Sequence, residues 1–118
     1  MLLSAPGGDN VVAGNGILSI YNSGITTPAA DDYAYLVGTS VASAQVTAAV
    51  SLLLSVRPTL AVADIRTILH QSVQPFPAGA CPARNCGAGI LDLNAAVRAA
   101  ESFVAASPNS SAPSAGGG

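Results

Sequence analysis

The distribution of apolar and polar residues divides the chain into a loop-rich first third and a helical remainder. The apolar run I-L-S-I at residues 17–20 lies between turn-forming glycines and asparagines and predicts a short strand. Residues 22–32 are polar and contain Gly24 and Pro28, so we expect an exposed connection there. A second short run, Y-A-Y-L at residues 33–36, is apolar and aromatic and leads into the first long helical pattern.

That helical pattern covers residues 41–55, which contain no Gly or Pro and carry apolar side chains on nearly all faces. Such a pattern predicts a helix buried on most sides, ended by Pro58. Residues 34–56 carry no charge, so a membrane span has to be considered. The strongly apolar part, residues 46–56, is shorter than the ~20 residues that a bilayer requires. We therefore predict a core helix and no membrane association.

Two further helices are predicted downstream. Thr59 is a candidate N-cap for a helix over residues 60–72. The apolar residues on one face of that helix are Ile65, Ile68 and Leu69. Asp92 is a candidate N-cap for a third helix, which would end near residue 105.

The two ends of the chain differ in composition from its middle. After Ser107 the sequence becomes P-N-S-S-A-P-S-A-G-G-G, which predicts a folded part at residues 1–106 and a flexible linker at residues 107–118. The first six residues, M-L-L-S-A-P, contain no basic residue and too short an apolar run for a signal peptide, so none is predicted in this chain.

Charge is sparse: 8% of the 118 residues are charged and the net charge is −2. A typical globular domain has roughly 25% charged residues. The low value suits a segment that is mostly interior to something larger, or a secreted enzyme covered with small polar residues. The four basic residues form no patch, so nucleic acid is not expected as a partner.

Cys81 and Cys86 lie in a loop rich in Pro, Gly and Asn. A metal site would need two more ligands nearby, and the sequence offers none, so no metal site is predicted. A local disulfide is favoured instead, and it fits an oxidising compartment.

The tripeptide Gly38-Thr39-Ser40 stands directly before the long helix and has two interpretations. In the first, Thr39 or Ser40 is an N-cap that satisfies free backbone N–H groups. In the second, the Ser40 hydroxyl is a nucleophile at the positive end of the helix, where the free N–H groups favour the negative charge that develops during acyl transfer.

Residues 38–48 read G-T-S-V-A-S-A-Q-V-T-A, and this segment resembles the nucleophile motif G-T-S-M-A-x-P-H-V-A-G of the subtilisin-like serine proteases, the subtilases. Further matches follow in the family's order. They are A-P-G at residues 5–7, S-V-R-P at 55–58, A-D-I-R at 63–66 and G-A-G-I-L-D at 87–92.

The resemblance implies an α/β fold, namely the C-terminal strands and helices of a three-layer subtilase domain with a mostly parallel sheet, incomplete in this chain. It implies that Ser40 is the nucleophile of a serine endopeptidase acting on proteins or peptides. The Ser40 backbone N–H would then be one oxyanion-hole donor, with Thr39 beside the hole. No cofactor is implied, and no calcium ligand set of the family is matched. The arrangement C-x-x-x-x-C-G-x-G resembles exported bacterial subtilases and implies that the parent enzyme is secreted.

A subtilase also needs an Asp and a His earlier in the chain than the serine. None of the 39 residues before Ser40 is His, and none of them forms a D-[ST]-G or H-G-T motif. The single histidine, His70, follows Ser40 by thirty residues and is expected to be an ordinary helical residue. Likewise, Asp9, Asp31 and Asp32 are expected to be turn residues. We therefore expect this chain alone to be inactive and its partner to be the missing N-terminal part of the same domain.

An alternative is a non-catalytic remnant of a subtilase. The chain departs from the family pattern at Val41, in place of Met, and at Ala44-Gln45, in place of Pro-His. Complementation by a separate chain is a third possibility, disfavoured because an open sheet edge is an aggregation hazard.

Overall fold

A β-hairpin and three helices form the regular structure in the computed structural model, which describes residues 1–81 and 85–104. The strands are β1 (Ile17–Asn22) and β2 (Asp31–Leu36), and the helices are α1 (Thr39–Val56), α2 (Val62–Gln71) and α3 (Leu93–Ser102). The predicted linker at residues 107–118, and the domain boundary before it, lie outside the described residues.

The hairpin pairs β1 and β2 antiparallel, with Ile17 opposite Leu36 and Asn22 opposite Asp31. Because side chains alternate along a strand, this register places four large side chains on one face. They are Leu18, Ile20, Tyr33 and Tyr35, and all four are exposed. The predicted strand at residues 17–20 is confirmed and is longer by two residues.

The described residues contain no mostly parallel sheet, which differs from the fold expected by resemblance. Their sheet is the two-stranded antiparallel hairpin. Parallel pairing is limited to an isolated bridge between Ser4 and Ile90, and Gln74 pairs antiparallel with Ile90 on the other side. The physical reason is that a parallel sheet needs several strands side by side, with helices covering both faces, and the described segments pair in parallel at a single bridge only. The fold is therefore a mixture of helices and a small sheet.

The hydrophobic core lies where α1 and α2 pack against α3. The residues buried there are Leu3, Ala49, Leu53, Ile65, Ile68, Leu69, Ala96 and Ala100. The two alanines of α3 are fully buried, and their small side chains let the backbones of neighbouring helices come close. The predicted apolar face of α2 is confirmed, since Ile65, Ile68 and Leu69 are its buried residues.

Helix α1 is much less buried than its sequence predicted. Its buried residues are Ala49 and Leu53, whereas Leu52 is 44% exposed and Val56 is 42% exposed. The prediction of a helix buried on most sides is wrong for this chain because α3 covers only one side of α1. By length and mean hydropathy (18 residues, 1.5) α1 could cross a membrane. That test is also met by core helices of soluble proteins, so the absence of a membrane span stays a prediction.

Of the two predicted N-caps, the one for α3 is confirmed and the one for α2 is not. The predicted N-cap Thr59 is wrong: the N-cap of α2 is Ala61, whose backbone N–H donates to the Asp64 carboxylate at 3.1 Å. The N-cap of α3 is Asp92, as predicted, and its Oδ1 accepts the Ala95 N–H at 2.9 Å.

Candidate active site

The turn before α1 depends on the backbone freedom of Gly38. This residue is the N-cap of α1 and has φ 150° and ψ 166°, a conformation that L side chains rarely adopt. No side chain makes a capping hydrogen bond at this helix start. The interpretation of Thr39 or Ser40 as a side-chain N-cap is therefore wrong.

Ser40 is the second residue of α1, and its side chain is exposed. The backbone N–H groups of Thr39 and Ser40 belong to the first turn, where no intrahelical carbonyl is available to them. Val41 and Ala42 already donate to the Gly38 carbonyl, at 3.1 and 3.2 Å. The result is an accessible hydroxyl beside N–H groups at the positive end of an 18-residue helix, a site suited to developing negative charge.

Residues 5–8 support this turn from one side. The Gly38 N–H donates to the Gly7 carbonyl at 2.9 Å. The two backbones are so close that a Cβ added to Gly7 would stand 2.8 Å from the Gly38 carbonyl oxygen and 3.5 Å from the Ala42 Cβ. A second contact comes from Gln45, whose Nε2 donates to the Pro6 carbonyl at 3.0 Å.

The segment before Pro6 is in turn held by hydrogen bonds to the loop of residues 86–91, which precedes α3. Backbone hydrogen bonds join Ser4 N–H to the Gly89 carbonyl and Leu91 N–H to the Ser4 carbonyl, both at 2.8 Å. The Ser4 hydroxyl also donates to the Cys86 carbonyl at 2.8 Å. Cys86 forms a disulfide with Cys81, with their Cα atoms 6.2 Å apart. Support for the Ser40 turn thus runs from the disulfide loop through Ser4 to Gly7.

His70 does not belong to the Ser40 turn. It is an exposed residue of α2 and lines a shallow surface depression. The other residues around that depression are Leu2, Ala63, Arg66, Thr67 and Gln71. This placement agrees with the expectation of an ordinary helical residue.

Asp9 lies in a loop, as expected, whereas Asp31 and Asp32 lie in β2, so the expectation that these two are turn residues is wrong. The Asp9 carboxylate accepts the Val11 and Val12 N–H groups and the Asn15 side-chain amide, and these bonds lower the pKa of Asp9. Asp31 accepts the Asn22 amide at 3.1 Å. These carboxylates therefore have local hydrogen-bonding roles. Among the described residues no group of His, Cys, Asp and Glu is arranged to hold a metal ion.

The contacts of Gly7, Pro6 and Gln45 were not identified from the sequence. The only available signal was the A-P-G turn, which the family resemblance singled out without assigning it a contact. In the sequence, Gln45 is distinguished only as a departure from the family pattern. Its hydrogen bond joins residues 39 positions apart, and no local pattern reports such a pairing.

Comparison with known proteins places this geometry in a family. The model of the subtilase family, peptidase family S8, matches residues 1–89. An extracellular protease of Xanthomonas campestris pv. campestris is 48% identical over 88 residues, which is 74% of this chain and 15% of that protein. A solved protease structure from Pseudoalteromonas arctica superposes with a TM-score of 0.75 at 39% identity, covering 85% of this chain and 29% of that one. The chain thus spans only a small part of both relatives, and it belongs to the subtilase family.

Proposed function

We propose that this chain is the nucleophile-bearing part of a subtilisin-like serine endopeptidase, with Ser40 as the nucleophile. The observation that carries the proposal is the exposed Ser40 hydroxyl in the first turn of α1, free of any capping role. The family membership supports it, as do two relatives that are named proteases.

In this mechanism the Ser40 Oγ attacks the carbonyl carbon of a peptide bond while a base removes the hydroxyl proton. The Ser40 backbone N–H, with Thr39 beside it, stabilises the negative charge on the carbonyl oxygen. The amine leaves with a proton from the protonated base, and water then hydrolyses the acyl-enzyme. The substrates are proteins or peptides, and no cofactor enters.

The base and its orienting carboxylate come from residues outside this 118-residue segment. The only histidine, His70, lies on the exposed side of α2, in a depression that does not include the Ser40 turn. Loss of the base and its orienter costs on the order of 10⁴- to 10⁶-fold in rate. The isolated chain is therefore expected to be inactive.

The same proposal extends to the fold. The parallel bridge of Ser4 with Ile90 supports the proposal that these residues belong to a mostly parallel sheet, which other parts of the domain would complete. In the subtilase three-layer arrangement those parts would also cover the exposed side of α1.

We place the parent enzyme outside the cell. One relative is named an extracellular protease, and the Cys81–Cys86 disulfide is a bond that persists in oxidising compartments.

The test is fluorophosphonate labelling of the complete protein that carries this segment, followed by identification of the modified peptide. Wild-type protein should be labelled at Ser40, and Ser40→Ala should abolish the label. Ser43→Ala is the matched control, because Ser43 is another exposed serine of α1, one turn further along, and should leave labelling unchanged. Absence of label on Ser40 in folded complete protein would favour the alternative, a non-catalytic remnant with divergent residues at positions 44 and 45.

A further inference from the structure

We propose that Gln45 is a positioning residue for Ser40: its side-chain amide fastens the start of α1 to residues 5–8 and so fixes the Ser40 turn. Gln45 stands where the family pattern has His. The inference rests on the proposed function, since it describes how the same site is held in place. The contact that carries it is the 3.0 Å hydrogen bond from Gln45 Nε2 to the Pro6 carbonyl.

The helix geometry explains why a contact at position 45 acts on residue 38. Positions 38, 42 and 45 are spaced i, i+4 and i+7, so they lie on one face at about 3.6 residues per turn. That face meets residues 5–8 at each of the three positions. Gly38 bonds the Gly7 carbonyl, Ala42 lies against Gly7, and Gln45 bonds the Pro6 carbonyl.

Ser40 lies on the other side of the helix from this face. At about 100° per residue, position 40 is rotated by roughly 200° from position 38 and by roughly 140° from position 45. Residues 5–8 therefore contact α1 on the side opposite Ser40, and the Ser40 side chain stays exposed. Fixing the first two turns of the helix fixes the position of the Ser40 backbone and the direction of its Cα–Cβ bond.

The amide of Gln45 is suited to a permanent hydrogen bond with the Pro6 carbonyl. An amide donates one N–H to a backbone carbonyl and keeps that proton at every pH at which a protein is folded. An imidazole at the same position would change charge near pH 6.5 and would have to present the correct ring nitrogen. The departure from the family pattern at position 45 thus retains a hydrogen-bond donor, which argues against decay at this position.

The test uses the complete protein with two substitutions at position 45. Gln45→Leu keeps the approximate size and removes the donor, whereas Gln45→His restores the family residue and a ring N–H. Thr47→Val is the control, because the Thr47 hydroxyl donates to the Ser43 carbonyl within α1 and does not contact residues 5–8. Two quantities are measured: the rate of fluorophosphonate labelling at Ser40, and hydrogen exchange of the Gly38 amide in the peptide that contains it.

We expect Gln45→Leu to slow labelling by about 10- to 100-fold, because small misplacements of a reacting group have effects of that size. The same variant should speed exchange at Gly38. Gln45→His should recover most of both properties, and Thr47→Val should resemble the wild type.

Faster Gly38 exchange with unchanged labelling in Gln45→Leu would overturn the positioning role, since the bond would then be structural only. Wild-type values of both quantities in Gln45→Leu would overturn it as well, as would failure of Gln45→His to recover either. If wild-type protein is never labelled at Ser40 but Gly38 exchange still depends on residue 45, the proposed function fails and the contact itself is supported.

Discussion

At the scale of single residues, Asp92 shows how one carboxylate joins two parts of the chain. Its Oδ1 accepts the Ala95 N–H at the start of α3, and its Oδ2 accepts the Gln74 side-chain amide at 2.9 Å. The Ala95 bond is the larger cause, and the Gln74 bond the second, of a lowered pKa at Asp92. The ionised form is therefore favoured in the folded state.

This pKa shift predicts a pH dependence of stability. A carboxylate whose pKa is depressed by folding stabilises fully above its unfolded pKa, about 3.9 for Asp, and the contribution is lost as pH falls through the lower folded value. Asp92→Asn removes the titration while keeping a side chain that can cap a helix. The difference between wild type and Asp92→Asn in the free energy of unfolding, measured with urea, should shrink as pH falls below about 4. A difference that stays constant over that range would contradict the assignment.

Gly7 provides a second test at residue scale. Gly7→Ala places a methyl group 2.8 Å from the Gly38 carbonyl oxygen, and the opposing atom is backbone that cannot rotate away. We expect a loss of about 1–3 kcal/mol in the free energy of unfolding, typical of overpacking, together with faster amide exchange at Gly38. Gly14→Asn is the control, because no atom lies within 4 Å of an added Cβ at Gly14 and Asn tolerates positive φ. Equal effects of the two substitutions would contradict the close approach.

At the scale of elements, two neighbouring leucines of α1 differ in burial. Leu53 is fully buried in the core, and Leu52 is 44% exposed. Leu53→Ala should cost about 2–5 kcal/mol of unfolding free energy in this chain, and Leu52→Ala should cost less than about 1 kcal/mol because little packing is lost. Chemical denaturation of the two variants checks the difference, and equal costs would mean that α1 packs differently.

The helices were predictable from the sequence because their signals are local. A stretch of apolar residues without Gly or Pro located α1, the apolar residues on one face located α2, and the Asp92 cap located α3. The cap of α2 was missed because Asp64, inside the helix, satisfies the Ala61 N–H in place of a side chain at Thr59. Burial of α1 was overestimated because composition shows only which residues are able to be buried. Whether another element covers them depends on tertiary contacts, and α1 packs mainly against α3. The exposed serine was predictable as a candidate from its motif, whereas its support by Pro6 and Gly7 was not.

At the scale of the whole molecule, large apolar surfaces are left open. Ile20 is 81% exposed and Tyr33 is 70% exposed on one face of the hairpin, and α1 adds Leu52 and Val56. A soluble monomer rarely exposes contiguous patches of this kind. The net charge of −2 provides little repulsion between copies.

These surfaces predict different behaviour for the segment and for the complete protein. The isolated 118-residue chain should self-associate and bind a hydrophobic dye, because the surfaces are open in it. The complete protein should do neither to the same extent, if other parts of the domain cover them. Sedimentation velocity and dye fluorescence at matched concentrations check this, and a monomeric, dye-free segment would contradict it.

The pairing of Ser4 with Ile90 also has a consequence for the order of folding. Contacts between residues so far apart in sequence raise contact order, and closing the intervening loop costs chain entropy before the contact is gained. During synthesis, residues 2–4 cannot find their partners until residues 86–91 have left the ribosome. Helix α1 can form earlier from its own local interactions. The support that reaches Ser40 through Gly7 is therefore completed late, so the Ser40 turn becomes fixed only after most of the surrounding chain has been synthesised.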